Sequence, residues 1–228
     1  MAKVMRYGLP VVGVLMLAIG AYLGLVWVPA ELEMGDVARI MYVHVPAVWM
    51  MLLCSILNFG ASLWYLLKGA SWRADALAES GAENSLVFGT IGVVLGSIWA
   101  KPTWGVYWNW DPRLTSVTIM LVTYAGYLAL RRFVEDPDTR ARRAAVLGVL
   151  AAASSVLVWF SVKWFNTLHQ LQSSPKTTYP ELQMVLRWNT FAFLFIAIWF
   201  VWQRFNLAML IRAGEVAPPE PPAAGGVA

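Results

Sequence analysis

The sequence predicts an all-α integral membrane protein with six transmembrane helices. Of its 228 residues, 59% are hydrophobic and only 13% charged. The apolar residues gather in runs long enough to cross a bilayer, and the thirteen tryptophans exceed what one core needs. A soluble domain carries about a quarter charged residues, so lipid is the solvent this composition fits. Tryptophan favours the boundary between lipid and water, where one edge of the ring stays wet.

Crossing the hydrocarbon takes about 20 largely apolar residues. Runs of that kind lie near residues 8–28, 42–67, 84–100, 114–131, 144–164 and 189–210. The first follows Lys3 and Arg6, as a signal peptide would. Its apolar stretch is long, however, and "VWVPAELEM" is a poor cleavage site, so we take it as an anchor helix. The third run is short and needs residues from its flanking loop. Residues 1–212 thus make one helical domain. The segment 213–228, "AGEVAPPEPPAAGGVA", has the composition of a disordered tail.

Lys and Arg in the short loops set the orientation. Eleven fall on one side (Lys3, Arg6, Lys68, Arg73, Arg131, Arg132, Arg140, Arg142, Arg143, Arg204, Arg212) and six on the other (Arg39, Lys101, Arg113, Lys163, Lys176, Arg187). Both termini are expected in the cytoplasm, and the loops 29–41, 101–113 and 165–187 outside. The net charge of +4 therefore reports topology and not nucleic-acid binding. The basic loop "RRFVEDPDTRARR" is a topology determinant facing anionic lipid, with docking of a cytoplasmic ATPase as the alternative. Gly20–Gly24 and Gly92–Gly96 have the small-x-x-x-small spacing of helix packing seams, and we read them as seams and not as binding sites. Pro46 starts or kinks the second helix, which puts His44 at a break in regular structure.

Little in the chain is chemically equipped. Cys54, the one cysteine, sits in an apolar run as a small hydrophobe, and there is no Cys-x-x-Cys for zinc, redox exchange or covalent haem attachment. Met41, Met50 and Met51 read as packing. No Gly-x-x-x-x-Gly-Lys-Ser/Thr occurs, so nucleotide hydrolysis would have to come from a partner. The two histidines, His44 and His169, both fall on the outer side. Singly, each reads most simply as an interfacial histidine bonded to a carbonyl or to water. Between them lies "KPTWGVYWNWDPRLTS" (101–116). Trp99, Trp159, Trp164 and Trp188 fit an ordinary interfacial belt. A belt does not explain "WGVYWNWD", where Trp104, Trp108 and Trp110 crowd together, Gly105 frees the backbone and Asp111 follows the last ring.

Such a surface suits a large, flat, apolar ligand. Lys101 and Arg113 flank it and could hold carboxylates on the ligand's edge, while Asp111 could orient a metal-ligating imidazole. A flat apolar body with edge carboxylates and a metal accepting two opposed imidazoles describes haem.

The run "WGVYWNWDPRLT" closely resembles the tryptophan-rich WWD signature of haem-handling membrane proteins. Within that superfamily the short chain, six spans and one histidine on either side of the signature are similar to the haem exporter protein C branch of the cytochrome c maturation system. The resemblance implies a multi-pass protein of the bacterial inner membrane that presents haem b, held without covalent bonds, on the periplasmic face. It implies His44 and His169 as axial ligands and Trp104, Trp108, Trp110 and Asp111 as the platform; for the propionates, Lys101 and Arg113 are the nearest candidate contacts in the sequence itself. It further implies partners: an ATP-binding-cassette (ABC) exporter's ATPase and membrane subunits, a small single-span membrane subunit, and a periplasmic haem chaperone. Two other readings remain, a b-type electron-transfer subunit and a membrane scaffold without cofactor. A channel or ion-coupled transporter ranks last, because it would want charges within the spans, where Lys163 is the nearest candidate.

Overall fold

The computed structural model describes residues 3–169 and 179–216. Six of its helices are long and apolar enough to cross a membrane. The first span, Val4–Trp27, is helix α1 (Leu9–Tyr22) with wider π-helical turns at both ends. A 3₁₀ turn, Asp36–Ile40, leads into α2 (Met41–Lys68). Then come α3 (Trp72–Trp104), α4 (Pro112–Phe133), α5 (Pro137–Trp164) and α6 (Pro180–Val216). The chain runs up and down, so the loop between α3 and α4 lies at the same end of the bundle as the starts of α2 and α6.

Helix starts are written in short signals. Asp111 caps α4 by accepting the amide N–H of Leu114 at 2.8 Å, and Asp136 caps α5 through Thr139 at 2.7 Å. In each case proline follows at the first helical position, where its missing N–H costs nothing. Pro46 neither starts nor breaks α2. The helix begins five residues earlier and runs through it, so His44 is helical and lies in the first turn. It is the 3₁₀ turn before Met41 that marks the irregularity.

The third helix differs most from the sequence reading. It spans 33 residues, against 84–100 expected. The hydropathy signal fails before residue 84 because Asp75, Glu79 and Glu83 fall there. Spaced four apart, they share one face of the helix and are neutralised across the bundle. Asp75 bonds Arg131 of α4 at 2.7 Å and Arg212 of α6 at 2.8 Å. Glu79 bonds both Arg131 and Arg204, and Arg204 also pairs with Glu83. Asp75 and Arg212 are each only 3% exposed. Charges do therefore enter the helices, at the end opposite the tryptophan loop, and Lys163 is not among them: it is exposed, over the ring of Phe160. Helix α6 also runs past its sequence boundary, through residues 213–216; residues 217–228, most of the expected tail, lie outside the described residues.

Helix α2 packs along α3 and crosses α5, α4 packs along α5, and α1 lies against α6. The central core is built from Met50, Met51, Met120, Tyr124, Tyr127 and Phe88 with small residues between them. Cys54 is buried there, as expected. The Gly20–Gly24 seam packs closely, with Asn189 against Gly20 and the ring of Tyr42 against Gly24.

Candidate functional site

At the tryptophan end the two helix pairs part around a small cavity, about 70 Å³, and both histidines line it. His44 enters from α2. Its Nδ1 lies 2.9 Å from the carbonyl oxygen of Gly92 on α3. A carbonyl only accepts, so Nδ1 carries the proton and Nε2 keeps its lone pair. Gly96, one turn further along α3, makes room for the ring: a Cβ there would stand 2.9 Å from His44 Cε1. The edge of Trp99 closes the remaining side, with ring centroids 5.7 Å apart at 78°. His44 is thus fixed by a carbonyl, a missing side chain and an indole.

His169 arrives from the segment after α5. Its Nδ1 faces the Asp111 carboxylate at 3.4 Å, which again leaves Nε2 free. Asp111 is 8% exposed, accepts the Leu168 amide at 3.1 Å and caps α4, so one side chain joins the tryptophan loop, α4 and the His169 segment. Burial holds the His169 imidazole below its usual pKa of 6.5; nearby Arg113 adds to this and Asp111 opposes it. The ring is therefore neutral at physiological pH, the form that binds metal.

The platform residues divide. Trp104 and Trp108 line the cavity, joined by Tyr107. Trp104 stands against His169 with centroids 4.9 Å apart. Trp110 does not line the cavity; it is 68% exposed and stands edge-to-face with Trp108, ring centroids 5.5 Å apart at 82°. Gly105 ends α3 with φ of 78°, a left-handed conformation that a side chain would strain. Of the two cations, Arg113 lines the cavity. Lys101 does not: its ammonium donates to the Gly105 carbonyl at 2.9 Å and lies over the Tyr107 ring. It staples the loop.

Two sequence assignments change here. The Gly92–Gly96 pair is a seam that also builds the site, since one glycine supplies the acceptor for His44 and the other its space. Trp99 is more than a belt residue. Its signal was present: it lies three residues from Gly96 on the same helix face. The cavity floor, Val48, Met51, Gly89, Val117 and Val158, is apolar. Its volume falls well short of the roughly 300–1,000 Å³ that encloses a cofactor-sized ligand.

Fold and site together define a polytopic helical membrane protein that turns two metal-competent imidazoles onto one aromatic cavity at a single end of its bundle. Residues 1–217 match the family described as "Heme exporter protein C". The chain is 40% identical over 160 residues to a relative of that name from Bradyrhizobium diazoefficiens, covering 69% of this chain and 59% of the relative. It is 34% identical over 209 residues to the Escherichia coli K12 protein of that name, covering 90% and 84%. For Haemophilus influenzae the figures are 35% over 202 residues, 86% and 80%. The chain belongs to the haem exporter protein C family.

Proposed function

We propose that this chain holds haem at the tryptophan end of its bundle and passes it on for cytochrome c maturation. The observation that carries the reading is the pair of imidazoles, each with Nδ1 tied to an acceptor and Nε2 free, lining one aromatic cavity. Iron in a porphyrin leaves two axial positions, and neutral histidine nitrogen fills them well. Trp104, Trp108 and Tyr107 offer ring faces to the macrocycle, and Arg113 offers the propionates a guanidinium. Trp110 serves as the outer edge of the platform, exposed to whatever approaches.

The bonds in this arrangement are all exchangeable, which suits cargo and not a resident cofactor. With no thioether-forming motif in the chain, haem b is held by coordination and stacking alone. The lysine and arginine bias supports an orientation with both termini in the cytoplasm and the tryptophan end on the periplasmic face of the inner membrane. The family's name, exporter, and the missing nucleotide motif fit a subunit that works beside an ABC ATPase, its membrane subunits and a small single-span protein. The receiving partner is a periplasmic haem chaperone.

The test is spectroscopic. Purified protein loaded with haemin is expected to give a Soret band with low-spin, six-coordinate features. His44→Gly and His169→Gly should each shift it to a five-coordinate spectrum that added imidazole restores. Unchanged spectra in both variants would overturn the ligand assignment, and a fast redox turnover with quinol would favour an electron-transfer subunit instead.

A further inference from the structure

We propose that the groove between the end of α4 and the start of α5 binds an anionic phospholipid, its phosphate held by Arg142 and Arg143 and its acyl chains lying along the outward face of α5. The inference is independent of the haem reading and concerns the opposite end of the bundle.

Charge matching at that end is selective. Arg131 and Arg212 share Asp75, Arg131 and Arg204 share Glu79, Arg204 also takes Glu83, and Arg140 takes Glu215. Arg142 and Arg143 are left over. Among the described residues neither forms an ion pair or a hydrogen bond, although Asp138 lies one turn before Arg142. Asp136, the other acid at the start of α5, is committed to the Thr139 amide. Two adjacent guanidiniums on one wall repel each other, and an anion set between them reverses the sign of that interaction.

The groove they line is open, about 440 Å³, with Leu130 of α4 and Thr139 and Val146 of α5 as the other walls. It crosses the boundary between two environments. Leu130 and Val146 fall inside the apolar runs 114–131 and 144–164, whereas Thr139, Arg142 and Arg143 lie outside them. Arg142, Val146 and Leu150 are spaced by four and share one face of α5. On that face Val146 is 49% and Leu150 60% exposed. A cationic mouth therefore leads into an apolar track turned away from the bundle. Guanidinium meets phosphate oxygens through charge-assisted hydrogen bonds, and basic pockets between membrane helices take the headgroups of anionic lipids.

This shape favours a lipid over the other anions that two arginines attract. A soluble protein reaches the arginines but cannot follow the groove to Leu130 and Val146 without entering the hydrocarbon. Free phosphate satisfies the guanidiniums and leaves the apolar track uncovered. A phospholipid fills both parts at once.

The test is native mass spectrometry of the full-length protein in detergent, titrated with phosphatidylglycerol, phosphatidylcholine or inorganic phosphate. Phosphatidylglycerol is expected to bind more tightly than phosphatidylcholine, and Arg142→Gln/Arg143→Gln to weaken it by about tenfold or more. Lys68→Gln/Arg73→Gln removes the same charge at the same end but outside the groove, and should stay within roughly twofold of wild type. Val146→Trp fills the track without touching the charge and should weaken phosphatidylglycerol too, with helical circular dichroism unchanged in every variant. Equal binding of the two lipids would overturn the proposal, as would equal losses in the two double variants, which mean a diffuse cationic surface. Displacement of phosphatidylglycerol by inorganic phosphate would reduce the site to a simple anion site and overturn it as well. So would a double arginine variant that binds lipid normally but no longer co-purifies with a soluble ATPase subunit, since the arginines would then serve protein docking.

Discussion

The Asp111 carboxylate reaches Nδ1 of His169 from a residue 58 positions away, at 3.4 Å, while its other oxygen caps α4. A single acid therefore sets the imidazole's orientation and anchors the loop that carries the indoles. Partners that orient a metal-bound histidine typically account for about 10–100-fold in metal affinity. Asp111→Asn is expected to weaken haemin binding by about that factor in a Soret titration, while the helical circular dichroism stays unchanged because asparagine still caps α4.

The pH dependence of the same pair has a definite sign. In the folded chain His169 lies below its usual pKa of 6.5, burial being the main cause. As pH falls below 6.5 the unfolded chain takes up the proton first, so this group's contribution to stability declines with acidification and is complete above 6.5. Wild-type protein should keep its imidazole neutral, and its haem, to below pH 6.5. Since Asp111 raises the His169 pKa, its removal makes the ring harder to protonate. Weak haem binding by Asp111→Asn at pH 6 would then reflect lost positioning and not lost neutrality. Histidine NMR titration of the haem-free protein separates the two.

Gly96→Val tests the cradle around His44. A Cβ there would lie 2.9 Å from the ring, so the imidazole must leave its place beside Gly92. Overpacking of this kind costs about 1–3 kcal/mol. The variant should fold with a slightly lower melting temperature and give the same five-coordinate spectrum as His44→Gly. A normal six-coordinate spectrum would show that His44 is free to relocate.

The aromatic residues should not be equivalent. Trp108 lines the cavity, whereas Trp110 stands outside it and 68% exposed. Trp108→Ala is expected to cost at least 0.5–1.5 kcal/mol of haemin affinity, roughly the value of one ring contact. Trp110→Ala should leave affinity within twofold while slowing transfer to an acceptor, measured by stopped-flow absorbance.

At the opposite end, Asp75→Ala would leave Arg131 and Arg212 without their shared carboxylate. Breaking a buried pair in this way costs about 3–5 kcal/mol, and thermal unfolding in detergent should register a large drop. Replacing Asp75 with asparagine should recover part of it.

Six long apolar helices, the aromatic loop and the two histidines were legible because each is written locally: a run of greasy residues, a cluster of indoles, a rare side chain. What was illegible depends on partners distant in sequence. Glu79 reads as a loop residue until Arg131 and Arg204 stand beside it, so the true start of α3 was hidden. Gly96 reads as a packing glycine until the ring of His44 is seen against it. Lys101 and Arg113 looked interchangeable as flanking cations, yet the fold turns one onto its own loop and the other into the cavity. Hydropathy scores a residue by its own solvation, whereas these positions are decided by what neutralises or crowds them.

The acidic face of α3 has a consequence for how the chain is made. On its own, the ribosomal product through residue 104 offers the membrane a segment with three carboxylates in its opening turns, and the arginines that pair with them in the fold have yet to be made. Arg131 arrives with α4, but Arg204 and Arg212 emerge only with the closing helix. Final seating of α3 in the bilayer therefore waits for almost the entire polypeptide, and truncations ending before residue 204 should be inserted loosely and degraded rather than accumulate as half-built bundles.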